Sequence, residues 1–163
     1  MMAPTVHKDT ETLTLTIAVE LDATVERAWQ LWADPRQLEQ WWGPPTHPMT
    51  IVDYDLTAGG RITHFMQDPE GHKHHGWWDV LAVEPPTRLE LKDGDTDDDG
   101  VPNDGNAMTA MVVTLTARTG GRTLMALEIH FLSLEGMEQA AEMGMVEGIG
   151  IALGRIEAVL AES

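Results

Sequence analysis

Residues 12–42, TLTLTIAVELDATVERAWQLWADPRQLEQWW, change period part-way along, and the change decides the fold. Over 12–20 apolar and hydroxyl residues alternate, with Leu13, Leu15, Ile17 and Val19 on one face and Thr12, Thr14 and Thr16 on the other, as in a half-buried strand. From Val25 the apolar positions recur at three and four residues through Ala28, Trp29 and Trp32, which is helical spacing. Asp22 or Thr24 is placed to cap that helix, and Glu26 falls in its first turn. Asp34-Pro35 ends it, and Pro35 suits the first position of a second short helix reaching about Trp42. Gly43-Pro44-Pro45 then breaks the helix.

On the far side of this break the period returns to two. Residues 49–57 lead into Gly59-Gly60, and 61–67 (RITHFMQ) return with Ile62, His64 and Met66 on one face. Asp68-Pro69-Glu70-Gly71 carries turn chemistry, 72–84 form a longer strand, Pro85-Pro86 punctuates it, and 87–92 form another. The runs 107–118 and 122–133 flank Thr119-Gly120-Gly121 as a hairpin, with Met111, Val113 and Leu115 facing Met125, Leu127, Ile129 and Phe131. About 28 terminal residues are helical, with Ala141, Met145, Ile149, Ala152, Leu153, Ile156 and Leu160 in register. One curved antiparallel sheet wrapped around the terminal helix buries all these faces, which predicts an α+β fold in a single domain. Residues 1–11 are expected to be flexible, and 93–106 to form an acidic loop between strands.

The chain has 163 residues, no cysteine, and 27 Asp and Glu against 10 Lys and Arg, for a formal charge of −17. Absent thiols exclude disulfides, thiolate catalysis and Cys-type metal sites. The charge argues against nucleic acid and anionic membrane surfaces, and no apolar run approaches the roughly 20 residues of a membrane-spanning helix. A cytoplasmic location is expected. Six Trp stand in three pairs, Trp29/Trp32, Trp41/Trp42 and Trp77/Trp78, beside ten Met, residues that fill cores and also line adaptable apolar pockets.

Three segments resemble the START-like (SRPBCC) superfamily of helix-grip folds, and within it the family like the C-terminal domain of the activator of the heat-shock protein 90 ATPase. They are 25–44 (VERAWQLWADPRQLEQWWGP), with its Asp-Pro junction and closing Trp-Trp-Gly-Pro; 55–91, with Asp55, Gly59-Gly60, Asp68-Pro69-Glu70-Gly71 and Val83-Glu84-Pro85-Pro86-Thr87-Arg88-Leu89; and 143–160 (MGMVEGIGIALGRIEAVL). The resemblance implies a hydrophobic cavity between sheet and long helix that holds lipids, polyketides or other small apolar molecules. Where the family usually carries Trp in that helix this chain has Ile149, which implies a larger or reshaped pocket. The separate N-terminal domain of the eukaryotic co-chaperone has no counterpart here, so activation of heat-shock protein 90 is not implied.

The favoured reading is a binding protein for a small hydrophobic ligand, in a cavity lined by Ile62, His64, Met66, Trp78, Met111, Leu127, Met145 and Ile149. A neutral imidazole at His64 offers one donor and one acceptor to orient a carboxylate, phenol or carbonyl. Alternatives are a chaperone cofactor or regulatory module docking on a protein partner, a homodimer among its forms, and a polyketide cyclase-like enzyme with His64 as the conceivable base. No catalytic residue is assigned, because no G-x-S-x-G, P-loop, H-E-x-x-H or G-x-G-x-x-G pattern occurs. His72 and His74 share a strand face at metal-compatible spacing without an evident third ligand. Asp95, Asp97, Asp99 and Gly100 match the opening of a calcium loop, but Asn106 replaces the closing Glu and the flanks are strands. Neither set is assigned a metal. Gly136, Gly144, Gly148, Gly150 and Gly154 weaken the terminal helix, and free volume, close backbone approach, or a frayed or kinked segment would account for them.

Overall fold

The computed structural model describes residues 4–42, 48–96, 102–103, 108–131, 133–142 and 144–161. In chain order the elements are β1 (Thr5–Asp9), β2 (Thr14–Leu21), α1 (Val25–Ala33), α2 (Pro35–Trp41), β3 (Met49–Tyr54), β4 (Arg61–Gln67), β5 (Lys73–Glu84), β6 (Arg88–Thr96), β7 (Pro102–Asn103), β8 (Met108–Arg118) and β9 (Arg122–Phe131). Helices α3 (Leu134–Glu142), α4 (Met145–Gly154) and α5 (Ile156–Ala161) follow. The strands pair antiparallel in one curved sheet, ordered β1-β2-β9-β8-β6-β5-β4-β3, with β7 attached to β6. This is the helix-grip α+β architecture.

Local chemistry explains the entry to the sheet. Thr24, not Asp22, caps α1, its hydroxyl accepting from the Arg27 amide at 3.2 Å. Asp34 ends α1 and caps α2, accepting from the Arg36 amide, while Pro35 occupies the first turn. Two bonds clamp this helix pair to β3: the Glu39 carboxylate accepts from the Ile51 amide at 2.6 Å, and the Tyr54 hydroxyl donates to the Trp32 carbonyl. Burial pushes the Tyr54 phenol well above its ordinary pKa, so it stays a donor. Gly59 has φ +87°, and a Cβ on Gly60 would lie 2.5 Å from the Asp55 carbonyl oxygen, so the β3–β4 turn requires both glycines.

Three expectations change. Residues 5–9, expected to be flexible, form β1 and pair with 14–18 of β2; their side chains are mostly exposed, so no hydrophobic period marks them. Residues 93–96, expected in a loop, extend β6, with 93–95 pairing with 76–78 of β5 and Thr96 with Pro102 of β7. Their register partners supply what their own low β-propensity lacks. The terminal helical region divides at Gly144, which adopts φ +85° and separates α3 from the rest. Beyond it α4 and α5 are interrupted only at Arg155, whose φ −82° and ψ −15° remain right-handed, giving a near-continuous helix to Ala161. Ala141, expected on the buried stripe, is exposed on α3.

Candidate functional site

The inner face of the sheet follows from register. Leu91, Met111, Ile129 and Leu15 form one row across β6, β8, β9 and β2, and Leu89, Val113, Leu127 and Ile17 form the next. All eight are buried. Towards the β3 edge, Ile62 pairs with Trp78, and Ile51, His64 and Gly76 form a row across β3, β4 and β5.

His64 differs from every other member of this face. It is only 8% exposed, yet neither ring nitrogen has a hydrogen-bond partner among the described residues. Burial, with a smaller contribution from His75, pushes its pKa down to about 4, so the imidazole is neutral at physiological pH. An unpartnered buried imidazole costs free energy on the order of 1–3 kcal/mol. Its inward neighbour on β5, Gly76, is buried and contributes no side chain. On the other side the Trp78 ring lies 5.2 Å from the imidazole, centroid to centroid, tilted by 60°.

Trp78 begins an aromatic wall. Its ring meets Trp42 edge-on at 5.2 Å, Trp42 meets Trp41 at 5.4 Å, and Trp41 meets Trp32 at 4.9 Å. The deeper indoles are satisfied internally, Trp41 donating to the Leu31 carbonyl and Trp32 to the Met125 sulfur. Trp41 is thus the inward member of its pair, and Trp42 is half-buried beside it. Trp77, the outward neighbour of Trp78, lies under the Arg61 guanidinium at 5.1 Å.

The closest helix-to-strand approaches are α2 on β3, α1 on β8 and β9, and α3 on β9, which leave β4, β5 and β6 between them. Helix α4 contributes buried Ala152 and Leu153 and half-buried Ile149 to the core. No atom lies within 4 Å of a Cβ built on Gly148, Gly150 or Gly154. Close backbone approach therefore does not account for these glycines.

Of the eight residues expected to line a cavity, Ile62, His64 and Trp78 are buried together on β4 and β5. Met66 is half-buried on the same strand. Met111 and Leu127 are buried on β8 and β9, inside the close-packed rows, and Ile149 packs on the core from α4. Met145 opens α4, and its side chain lies outside the described residues. Sequence reasoning missed Gly76 and Trp42. Gly76 precedes Trp77-Trp78 on a strand whose alternation makes it an inward position, a signal present but easily passed over.

The other candidate clusters are organised differently. The Asp68 carboxylate accepts from the Glu70 and His72 amides and from His74 Nε2 at 3.0 Å, with His72 Nδ1 3.4 Å away. The hydrogen bond with His74, followed by those to the backbone, holds Asp68 down at about 2. The carboxylate absent from the linear spacing of His72 and His74 thus comes from the preceding turn. Among the described residues no group of three or more His, Asp or Glu is arranged to hold a metal. Of the calcium-loop residues, Asp95 lies in β6, and Asp97 and Asp99 lie outside the described residues.

The model of one family, described as activator of Hsp90 ATPase homolog 1-like protein, matches residues 22–161. The chain belongs to this family. Among solved structures, a crystal structure of a Mycobacterium smegmatis protein is 43% identical, with 98% of each chain covered and a TM-score of 0.86. A solution structure from Arthrobacter aurescens is also 43% identical, covering 99% of this chain and 94% of that one, with a TM-score of 0.91. A Silicibacter pomeroyi structure at 24% identity covers 91% and 97% with a TM-score of 0.68, which speaks for the fold alone. No curated protein matches the chain. The activator-homologue-like family has the START-like fold, which often binds hydrophobic ligands. Among the described residues no helix is long and apolar enough to cross a membrane.

Proposed function

We propose that the protein binds a small hydrophobic molecule of aromatic type between the β4–β5 part of the sheet and α4, with His64 as its polar contact. The observation that carries this reading is the buried imidazole with two unpartnered nitrogens, set between the Trp78 ring and the bare inward position of Gly76. A native fold rarely leaves such a group unsatisfied, and a ligand polar atom supplies the missing partner. Ile62, Met66 and Ile149 complete the apolar surroundings, as their inner-face positions suggest.

Titration with apolar aromatic compounds, read by tryptophan fluorescence and by melting temperature, tests this. A ligand at about 100 times its Kd stabilises the fold by about 2.7 kcal/mol. Both His64→Leu and Ile149→Trp are expected to weaken binding by severalfold or more. If both variants leave every affinity unchanged, the ligand lies elsewhere.

A further inference from the structure

The surroundings of His64 specify the charge of what it binds. Among the described residues the only fully buried polar or charged side chains are His64 and Thr123, and half-buried Arg27 of α1, whose Nε is buried, donates its other guanidinium nitrogens to Gln37 and to the Val159 carbonyl. The nearest strand cations are committed on the outer face: Arg61 pairs with Asp79 at 2.8 Å over Trp77, and Lys73 sits 4.7 Å over the Phe65 ring. An ionised carboxylate entering this region loses its hydration and meets no compensating charge, a cost of several kcal/mol. A neutral imidazole pairs with a neutral group equally well as donor or acceptor.

Building on the proposed ligand site, we infer that its occupant carries an uncharged hydroxyl on an aromatic ring, a phenol-type head group, and that ionised carboxylates are rejected. The ring of such a ligand lies against Trp78 beside Gly76, and its hydroxyl reaches a ring nitrogen of His64. With burial holding His64 neutral down to about pH 4, the imidazole does not become the missing cation near neutrality.

Isothermal titration at pH 7 with three probes of one shape tests this: naphthalene, 2-naphthol and 2-naphthoate. 2-Naphthol is expected to bind severalfold to about tenfold tighter than naphthalene, the worth of one net hydrogen bond. 2-Naphthoate should bind more weakly than naphthalene. In His64→Leu, the preference for 2-naphthol over naphthalene should disappear. Nitrogen-15 NMR of the imidazole in the unaltered protein gives a readout independent of any variant's folding, and 2-naphthol should shift the His64 ring nitrogens where naphthalene does not. Naphthoate binding as tightly as naphthol, or naphthol binding without moving those resonances, overturns the head-group inference and leaves the apolar site standing. Failure of all three probes to bind overturns the site and the inference together.

Discussion

The inner face of the sheet has two sectors built on opposite terms. Around Leu127, fully buried between Ile17 and Val113, every side chain is apolar, and α1 covers the rows closely. Around His64, on β4, the face holds an imidazole with no hydrogen-bond partner among the described residues and a glycine where a side chain would point inward. The first sector maximises contact. The second forgoes contacts and hydrogen bonds that a core of similar size would make. The proposed binding site thus falls on strands other than those that carry the closest packing.

The contrast can be broken by five measurements. Leu127→Ala should destabilise the protein by about 2–5 kcal/mol in urea unfolding, through lost transfer energy and a cavity that close packing cannot collapse. His64→Leu at pH 7 should cost nothing or stabilise, because it removes an unsatisfied polar group. Comparable losses from the two variants would erase the distinction between the sectors.

The second measurement is the pH dependence of stability. His64 has its pKa depressed from 6.5 to about 4 in the fold, so between those values the unfolded chain binds more protons than the native one. Stability at this site is full above pH 6.5, falls with acidification, and levels below about pH 4, a loss of up to about 3 kcal/mol. Subtracting the His64→Leu profile from that of the unaltered protein should reveal this limb. A flat difference would mean that the imidazole is not held neutral by burial.

Gly148→Ala should stabilise by up to about 1 kcal/mol in thermal melts, since the added methyl meets no atom and helix propensity improves. Gly148→Leu should weaken aromatic ligands by filling the same space. The smallest effect belongs to Asp68. Its folded pKa is lowered to about 2, so its stabilising contribution is present above the unfolded carboxylate value near 4 and disappears as pH falls through about 2. Asp68→Asn should remove that strongly acidic limb from the denaturation profile and leave ligand binding unchanged, because Asp68 lies in a turn away from the inner face.

Much of this was legible in the chain. The strand, helix pair, strands and terminal helix follow from a hydrophobic period that changes from 2 to 3.6 and back, and Ile62, His64 and Met66 share a face by alternation alone. Strand β1 was not legible, because an edge strand with exposed side chains buries nothing that would leave a pattern. The extension of β6 through Asp93–Thr96 was hidden for a related reason: its pairing with β5 outweighs residues that favour turns. Met111 and Leu127 were correctly placed facing inward, but alternation could not show that they belong to the close-packed sector rather than beside His64.

The sequence by itself determined which residues face the interior, because local periodicity is a property of neighbours along the chain. Whether an interior residue is satisfied depends on what other strands and helices bring to it. Only the tertiary structure decided that His64 meets Trp78 and the bare position of Gly76 instead of a hydrogen-bond partner, and that Gly148 and Gly150 border open space instead of a close-packed strand. Both outcomes are set by register and by helix placement across long stretches of chain, where no local period reaches.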